Sequence, residues 1–136
     1  MRDVIDHAAS LGLGVKFEEL GRRTAEIRAN RVILVNKRRV PSIQRMAIAH
    51  ECGHWFHGHD WTRDHDRPRD ERQADVYAAR LLISPAEYRD AERVAGPHVG
   101  ALARELNVTV LLVNLWRESY LAEVGVVRRM PTRAAG

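Results

Sequence analysis

Two histidines and a glutamate form the pattern in this chain that most directly indicates chemistry. Residues 50–54 read H-E-C-G-H, so His50 and His54 stand four positions apart with Glu51 between them. In a helix, residues i and i+4 share a face, and the two imidazoles can therefore reach one metal ion. Glu51 lies about 100° around the helix from His50, outside the ligand row. A metal lowers the pKa of a bound water to about 7, and a glutamate so placed can take its proton as the water attacks a carbonyl.

A catalytic zinc site needs three protein ligands and an open position, so a third ligand must come from another part of the chain. Glu71 is the favoured candidate, because it opens the next predicted helix and sixteen residues separate it from His54. This is the ligand arrangement of gluzincin-type zinc peptidases. We therefore predict a Zn²⁺ site with the ligands His50, His54 and Glu71. Asp75, about one helical turn after Glu71, faces the same way and can accept the second ring N–H of a ligand histidine.

A competing third ligand lies in the segment directly after the motif. The metzincin layout is H-E-x-x-H-x-x-G-x-x-H, with a glycine and a third histidine at fixed distances. Here Gly58 stands one place late, and Asp60 occupies the third-ligand position. The near misses are His57 and His59. Two histidines and a carboxylate also suit iron or manganese, so the metal is open at this point as well.

The remaining candidate residues carry weaker signals. Cys52 lies within the motif but on another face of the helix, which favours a small buried residue. We interpret His65 as a solvated loop residue and His98 as a surface residue at a helix start. Hydrolysis also needs a group that stabilises the developing oxyanion. The sequence does not choose for this role among the tyrosines Tyr77, Tyr88 and Tyr120.

Hydrophobic periodicity and helix breakers indicate the elements that must position these residues. Asp70 is expected to cap the helix that carries Glu71, and residues 57–70 are interpreted as a loop. The strands precede a run of helices, which indicates an α+β protein and not alternating βαβ units. The predicted elements are a helix over 3–11, strands over 15–20, 25–29 and 31–36, and helices over 41–57, 70–83, 85–95, 98–106 and 109–123.

The composition is that of one ordinary globular domain. The chain has 136 residues, of which 45% are hydrophobic and 29% charged, and this balance excludes a wholly disordered protein. Its single cysteine, Cys52, cannot form an internal disulfide. The first residues lack the apolar core of a signal peptide, and the longest apolar runs are too short to span a bilayer. We therefore predict a cytoplasmic protein that does not associate with membranes.

The net charge of +4 is unevenly distributed along the chain. Between residues 21 and 45, eight basic residues accompany one acid, Glu26. Such a basic strip could meet nucleic acid or an acidic partner. A solvated surface rich in arginine is the favoured interpretation.

Two stretches around the predicted ligands match a known pattern. Residues 45–54 read R-M-A-I-A-H-E-C-G-H, and residues 71–85 read E-R-Q-A-D-V-Y-A-A-R-L-L-I-S-P. They resemble the R-x-x-x-A-H-E-x-G-H and E-x-x-A-N-x-F-A-x-x-L-L-x-P segments of the ImmA/IrrE family of metallopeptidases. The departures are conservative, because Asp75 replaces Asn, Tyr77 replaces Phe, and Pro85 comes one residue late. None of them removes a predicted ligand.

The resemblance implies a zincin-like α+β fold with a small N-terminal sheet, a helix bearing the H-E-x-x-H motif, a second ligand helix and a C-terminal helical pair. We expect one domain over residues 1–124, with the pair at 98–123 packed on it, and a loose tail over 125–136. The resemblance also implies a bacterial or phage-encoded endopeptidase. Its expected partner is a helix-turn-helix repressor of a phage or mobile element, whose cleavage would regulate transcription.

The C-terminal pair admits a second interpretation. Residues 99–117 read like a helix-turn-helix, with A-R-E-L-N-V leading into the second helix. That second helix is strongly apolar, which favours a core element, and DNA contact is kept as an alternative. The competing functions are a non-proteolytic regulator that binds a repressor or DNA with a structural or sensory metal, and an inactive zincin scaffold. Glu51 favours the enzyme, because a structural metal site has no use for a general base.

Overall fold

A computed structural model describes residues 1–59 and 67–129 of the chain, with side chains in the last helix described up to residue 125. Helix α1 (Arg2–Ser10) precedes three strands, β1 (Gly14–Glu18), β2 (Ala25–Arg28) and β3 (Val32–Asn36). The helices that follow are α2 (Pro41–Phe56), α3 (Arg67–Leu82), α4 (Pro85–Ala95), α5 (Val99–Leu106) and α6 (Val110–Arg129). A small sheet followed by helices confirms the predicted α+β class.

The strands form one mixed sheet in the order β1-β3-β2. β3 runs parallel to β1 and antiparallel to β2. Its β-branched residues suit a central strand, and Ile33 and Val35, which share one face, are fully buried. Helix α2 packs against both β2 and β3. The sheet thus supports the helix that carries the H-E-x-x-H motif, and β2 lies at the sheet edge.

Helices α2 and α3 pack closely at Gly53, the glycine within the motif. A Cβ added to Gly53 would lie 2.8 Å from the Cα of Ala74 and 2.9 Å from its carbonyl oxygen. Both are backbone atoms, so the neighbouring helix would have to move to admit a side chain. Small residues on both helices therefore set a short separation, which brings polar side chains of α3 within reach of those on α2.

Helix α2 ends in a turn that depends on Gly58. This residue has φ 67°, a left-handed conformation that glycine adopts without steric cost. Its N–H donates to the carbonyl of Trp55 at 3.1 Å, and the N–H of His59 donates to the carbonyl of His54 at 3.1 Å. These two bonds form the Schellman motif. Gly58, which is one position too late for the metzincin pattern, therefore ends the helix. The turn that it forms brings His59 back next to His54.

Helix α3 begins earlier than the sequence predicted. Asp70 was expected to cap this helix, but the helix starts at Arg67. Pro68 occupies its second position, where the missing N–H of proline has no helical partner to lose. Asp70 consequently lies inside the helix with a buried side chain, and Glu71 lies in the second turn of the helix instead of the first.

Helices α5 and α6 form the expected C-terminal pair, bent by 102°. Helix α6 packs on α3 through a face that contains the buried residues Leu112, Val113, Leu115 and Trp116. In the described part of the chain, no single helix is long and apolar enough to cross a membrane, and α5 with α6 meets that test only as a bent pair.

The end of α6 differs from the prediction. The sequence placed the end of this helix near Glu123 and a loose tail from Gly125, but the helix continues to Arg129. Gly125 only weakens a helix, whereas Pro131 is the first residue there that breaks one. Residues 130–136 lie outside the described part of the chain.

Candidate metal centre

Three predicted ligands converge in the cleft between α2 and α3. The Nε2 atoms of His50 and His54 lie 3.0 Å apart. Glu71 places Oε2 3.0 Å from Nε2 of His50 and Oε1 3.2 Å from Nε2 of His54. Among the described residues, these three form the group of metal-ligating side chains whose donor atoms lie within 4.8 Å of one another. The structure thus brings His50, His54 and Glu71 together, and their role as ligands stays a prediction.

The size and chemistry of this triangle fit a small divalent cation. A tetrahedral ion with ligands at about 2.0–2.2 Å holds its ligand atoms about 3.3–3.6 Å apart. The observed separations of 3.0–3.2 Å are a few tenths of an ångström shorter. Two imidazole nitrogens and a carboxylate are a ligand set that zinc favours, and one further position would be left open.

Asp75 orients the first histidine. Its Oδ1 lies 2.8 Å from Nδ1 of His50, the ring nitrogen that faces away from the triangle. Burial lowers the pKa of His50, but the hydrogen bond and charge of Asp75, together with Glu51 and Glu71, outweigh it and leave the pKa raised. Asp75 thus stands where the sequence predicted a carboxylate that fixes the tautomer of a ligand histidine.

His59 contacts His54 on the side of its ring that faces away from the triangle. Its Nδ1 lies 2.8 Å from Nδ1 of His54, so it meets the ring nitrogen that faces away from the triangle. Burial and the neighbouring His50 lower the pKa of His54 to about 4. His59 was weighed as a third ligand, but Glu71 occupies that corner of the triangle. His57 is exposed, and Asp60 and His65 lie outside the described residues.

Glu51 is buried next to these groups, with 8% of its surface exposed. Burial is the main cause that raises the pKa of its carboxyl to about 7; the charge of Glu71 acts in the same direction and that of His50 opposes it. Glu51 directly follows His50 in α2 and is not a member of the triangle. A carboxyl with such a pKa is suited to accept and return a proton near neutral pH.

The other candidate residues, one cysteine, three tyrosines and His98, have packing or hydrogen-bonding positions in the fold. Cys52 is fully buried, which confirms its interpretation, and burial raises the pKa of its thiol to about 12. The hydroxyl of Tyr77 lies 2.5 Å from Nε2 of His7, on α1. Tyr88 and Tyr120 stack on Trp116, with ring centroids 4.3 and 4.9 Å from it. His98 precedes α5 as its N-cap residue.

An apolar cavity of about 270 Å³ adjoins the triangle and is lined by His50 and by its partner Asp75. Leu111, at the start of α6, is 54% exposed at this cavity, and Ile43, near the start of α2, is 36% exposed. Thr24 lies just before the edge strand β2. An open apolar cavity beside converging polar groups has the character of a ligand site.

Comparison with known proteins decides the family. A model of the peptidase family described as the IrrE N-terminal-like domain matches residues 8–115, most of the chain. The chain belongs to this family. Membership confirms the predicted resemblance and makes the chain a metallopeptidase. No curated protein matches it significantly. In this IrrE-like chain the matched region includes both helices that form the triangle.

Sequence reasoning missed two contributions to the IrrE-like site. The contact of His59 with His54 depends on the turn at Gly58, and the glycine after a helix end was the signal that could have revealed it.

Arg45, the first residue of the matched helix motif, donates to Asp3 of α1 at 2.6 Å. This pairing holds the pKa of Asp3 well below its usual value. Arg45 thus ties α1 to α2 and does not reach the triangle.

Proposed function

We propose that the chain is a zinc-dependent endopeptidase of the gluzincin type. The carrying observation is the triangle of His50, His54 and Glu71 with the buried carboxyl of Glu51 beside it. This combination supports hydrolysis over a structural metal, because a structural site would normally close with a fourth protein ligand. Zinc is the proposed ion because two imidazoles and a glutamate with an open fourth position are a ligand set of catalytic zinc sites.

Each side chain then has a defined task in peptide hydrolysis. His50, His54 and Glu71 hold the ion, which when bound supplies a Lewis acid that polarises the scissile carbonyl and acidifies water. Glu51 accepts the proton of the attacking water and returns it to the leaving amine. Asp75 keeps the proton of His50 on Nδ1, so Nε2 presents its lone pair to the triangle.

The cavity beside His50 supports an extended peptide as the substrate. Its lining would take an apolar side chain next to the scissile bond, with Ile43 and Leu111 on its rim. Thr24 connects the cavity to β2, whose position at the sheet edge lets an extended chain pair with its backbone. Such a site accepts a loop or terminus of a protein more readily than a compact domain.

The substrate we propose is a regulatory protein, a helix-turn-helix repressor of a phage or mobile element, and cleavage would take place in the cytoplasm. Membership in the IrrE-like family supports this proposal by analogy. Direct DNA binding by the C-terminal pair receives little support. The pair carries few basic residues before the end of α6, namely Arg104 and Arg117, and Arg117 bonds to the hydroxyl of Tyr88 and the carbonyl of Pro97.

Replacement of Glu51 by glutamine separates proteolysis from stoichiometric binding. The test combines the chain with a co-encoded helix-turn-helix repressor and a reporter, and mass spectrometry monitors repressor fragments. We expect Glu51→Gln to retain zinc and to cleave about 10²–10⁴-fold more slowly, because only the proton acceptor is lost. Glu105→Gln, the same change at an exposed site on α5, should cleave like the wild type. If Glu51→Gln relieves repression fully, a non-proteolytic regulator replaces the enzyme.

A further inference from the structure

A buried chain of polar side chains extends from the triangle to the start of α3. Nδ1 of His54 lies 2.8 Å from Nδ1 of His59. Nε2 of His59 lies 2.8 Å from Oε1 of Gln73 and 3.3 Å from Oδ1 of Asp70. The side chains of His54, His59 and Asp70 are 2%, 6% and 3% exposed. Water therefore has little access to these contacts, and each polar atom depends on its protein neighbours.

The oxygen atoms next to His59, at the end of this chain away from the triangle, determine which ring nitrogens of His59 and His54 carry protons. Nε2 of His59 faces two oxygens that only accept hydrogen bonds, Oε1 of Gln73 at 2.8 Å and the carboxylate of Asp70 at 3.3 Å, so it carries a proton that it donates to Gln73. A neutral imidazole then has a bare lone pair on Nδ1, which must accept a hydrogen bond from Nδ1–H of His54. Neutral His54 therefore has no proton on Nε2, the atom that faces Glu71 at 3.2 Å. This is the form in which a histidine can bind a metal.

We propose that His59 is a positioning residue for the metal centre, which selects the tautomer of His54 and relays the orientation imposed by Gln73 and the nearby carboxylate of Asp70. The proposal rests on the proposed function only in that an ion occupies the triangle. The two ligand histidines are then held by different means. His50 donates directly to a carboxylate at 2.8 Å, whereas His54 reaches a carboxylate through a second imidazole.

Two separate elements build this relay. The left-handed Gly58 ends α2 and returns His59 to its place, and the backbone N–H of His59 bonds to the carbonyl of His54. The early start of α3 brings Asp70 and Gln73 to the opposite side of the same ring. The turn after α2 and the first turns of α3 are thus coupled to the metal centre through one imidazole. Outer partners of this kind typically change metal affinity by about 10–100-fold when removed.

The test measures zinc affinity by competition with a chromogenic chelator in full-length variants. His59→Leu removes both ring nitrogens at similar volume and should weaken zinc binding about 10–100-fold. His59→Asn keeps an acceptor opposite Nδ1 of His54 and should recover most of the affinity, which a purely steric role would not produce. His57→Leu is the matched control, because that exposed ring stacks on His59 and, among the described residues, makes its other ring contacts with Phe56 and Tyr77; it should bind zinc like the wild type.

Several outcomes would overturn the relay. Equal zinc affinity of His59→Leu and the wild type refutes it, and so does equal weakening in His59→Leu and His59→Asn. A Co²⁺ spectrum that loses its tetrahedral bands in His59→Asn would make His59 a ligand instead. A wild-type chain that takes up no zinc refutes the proposed function. The two affinity results for the His59 variants bear on the relay alone and leave that function intact.

A measurement on the wild type keeps the relay testable if His59→Leu does not fold. Long-range ¹H–¹⁵N correlation of the zinc-loaded protein reports which ring nitrogen carries the proton. We expect His59 to be protonated on Nε2 and bare on Nδ1. Protonation on Nδ1 would contradict the relay, because His54 would then face a donor.

Discussion

At the scale of single residues, the proposed metal site depends on two side chains that are not among its proposed ligands. Asp75 contacts the outward nitrogen of His50 at 2.8 Å, and His59 contacts that of His54 at the same distance. Each partner decides which nitrogen keeps its proton and therefore which one is free to bind. The ligand geometry is consequently set before a metal arrives, which lowers the cost of binding it.

Loss of the Asp75 carboxylate should weaken the site without removing a ligand. In Asp75→Ala the ring of His50 loses its acceptor and can rotate or adopt the wrong tautomer. We expect zinc affinity to fall about 10–100-fold, measured by chelator competition. Asp6→Ala, the same change at an exposed position on α1, should leave the affinity unchanged. Equal affinities in both variants would show that Asp75 does not orient the ligand.

At the scale of the elements, the crossing of α2 and α3 determines whether Glu71 meets the histidines. The two helices approach at Gly53, where backbone atoms of Ala74 leave no room for a Cβ. The glycine of the H-E-x-x-H segment is therefore needed for packing. A wider crossing would carry Glu71 away from both Nε2 atoms and open the triangle.

Gly53→Ala tests this crossing. An added methyl would meet Ala74 Cα at 2.8 Å, so we expect the free energy of unfolding to fall by about 1–3 kcal/mol despite the better helix propensity of alanine. Urea unfolding measures the change. Gly125→Ala in α6 is the control, because no atom lies within 4 Å of the added Cβ, and it should stabilise by up to about 1 kcal/mol. The same sign in both variants would contradict the close approach.

Much of this arrangement could be predicted from the sequence, because it follows from local patterns. The spacing of His50 and His54, the position of Pro41 in the first turn and the many good helix formers of α2 identify the helix that carries both histidines. Residues 57–70 have no periodicity, so the start of α3 at Arg67 and the burial of Asp70 could not be predicted there. The contact between His59 and His54 depends on the path of the chain after Gly58, which helical spacing does not describe.

At the scale of the whole molecule, α6 packs on α3, the helix that carries Glu71. Arg72 and Arg80 of α3 pair with Glu118 and Glu123 of α6 at 2.9 and 2.5 Å. Trp116 lies between the stacked Tyr88 and Tyr120 and donates its indole N–H to the carbonyl of Ile83 at 2.8 Å. The C-terminal pair therefore supports the back of α3 and brings Leu111 to the cavity beside the site.

The basic strip fits the solvated interpretation. The exposed side chains of Arg23 and Arg28 both pair with Glu26, a half-buried residue of β2. Arg38 pairs with Glu19 at 3.0 Å. Exposed pairs of this kind contribute little to stability and reduce the positive field of the surface.

Trp116→Phe tests the attachment of α6. The substitution keeps an aromatic ring but leaves the buried carbonyl of Ile83 without its donor, so we expect a loss of about 1–3 kcal/mol in the free energy of unfolding. Trp55→Phe is the matched control, because Trp55 is 39% exposed, and it should change stability by less than about 0.5 kcal/mol. Equal and small effects would mean that the indole bond does not anchor the helix.

The central claim is that His50, His54 and Glu71 together hold one zinc ion. Elemental analysis of the zinc-replete wild type and of Glu71→Gln tests it most directly, with circular dichroism to verify that both fold. We predict about one zinc per wild-type chain and a large loss in the variant, which lacks the carboxylate corner of the triangle. No zinc in the wild type would contradict the enzyme, and full zinc in both proteins would remove Glu71 from the ligand set.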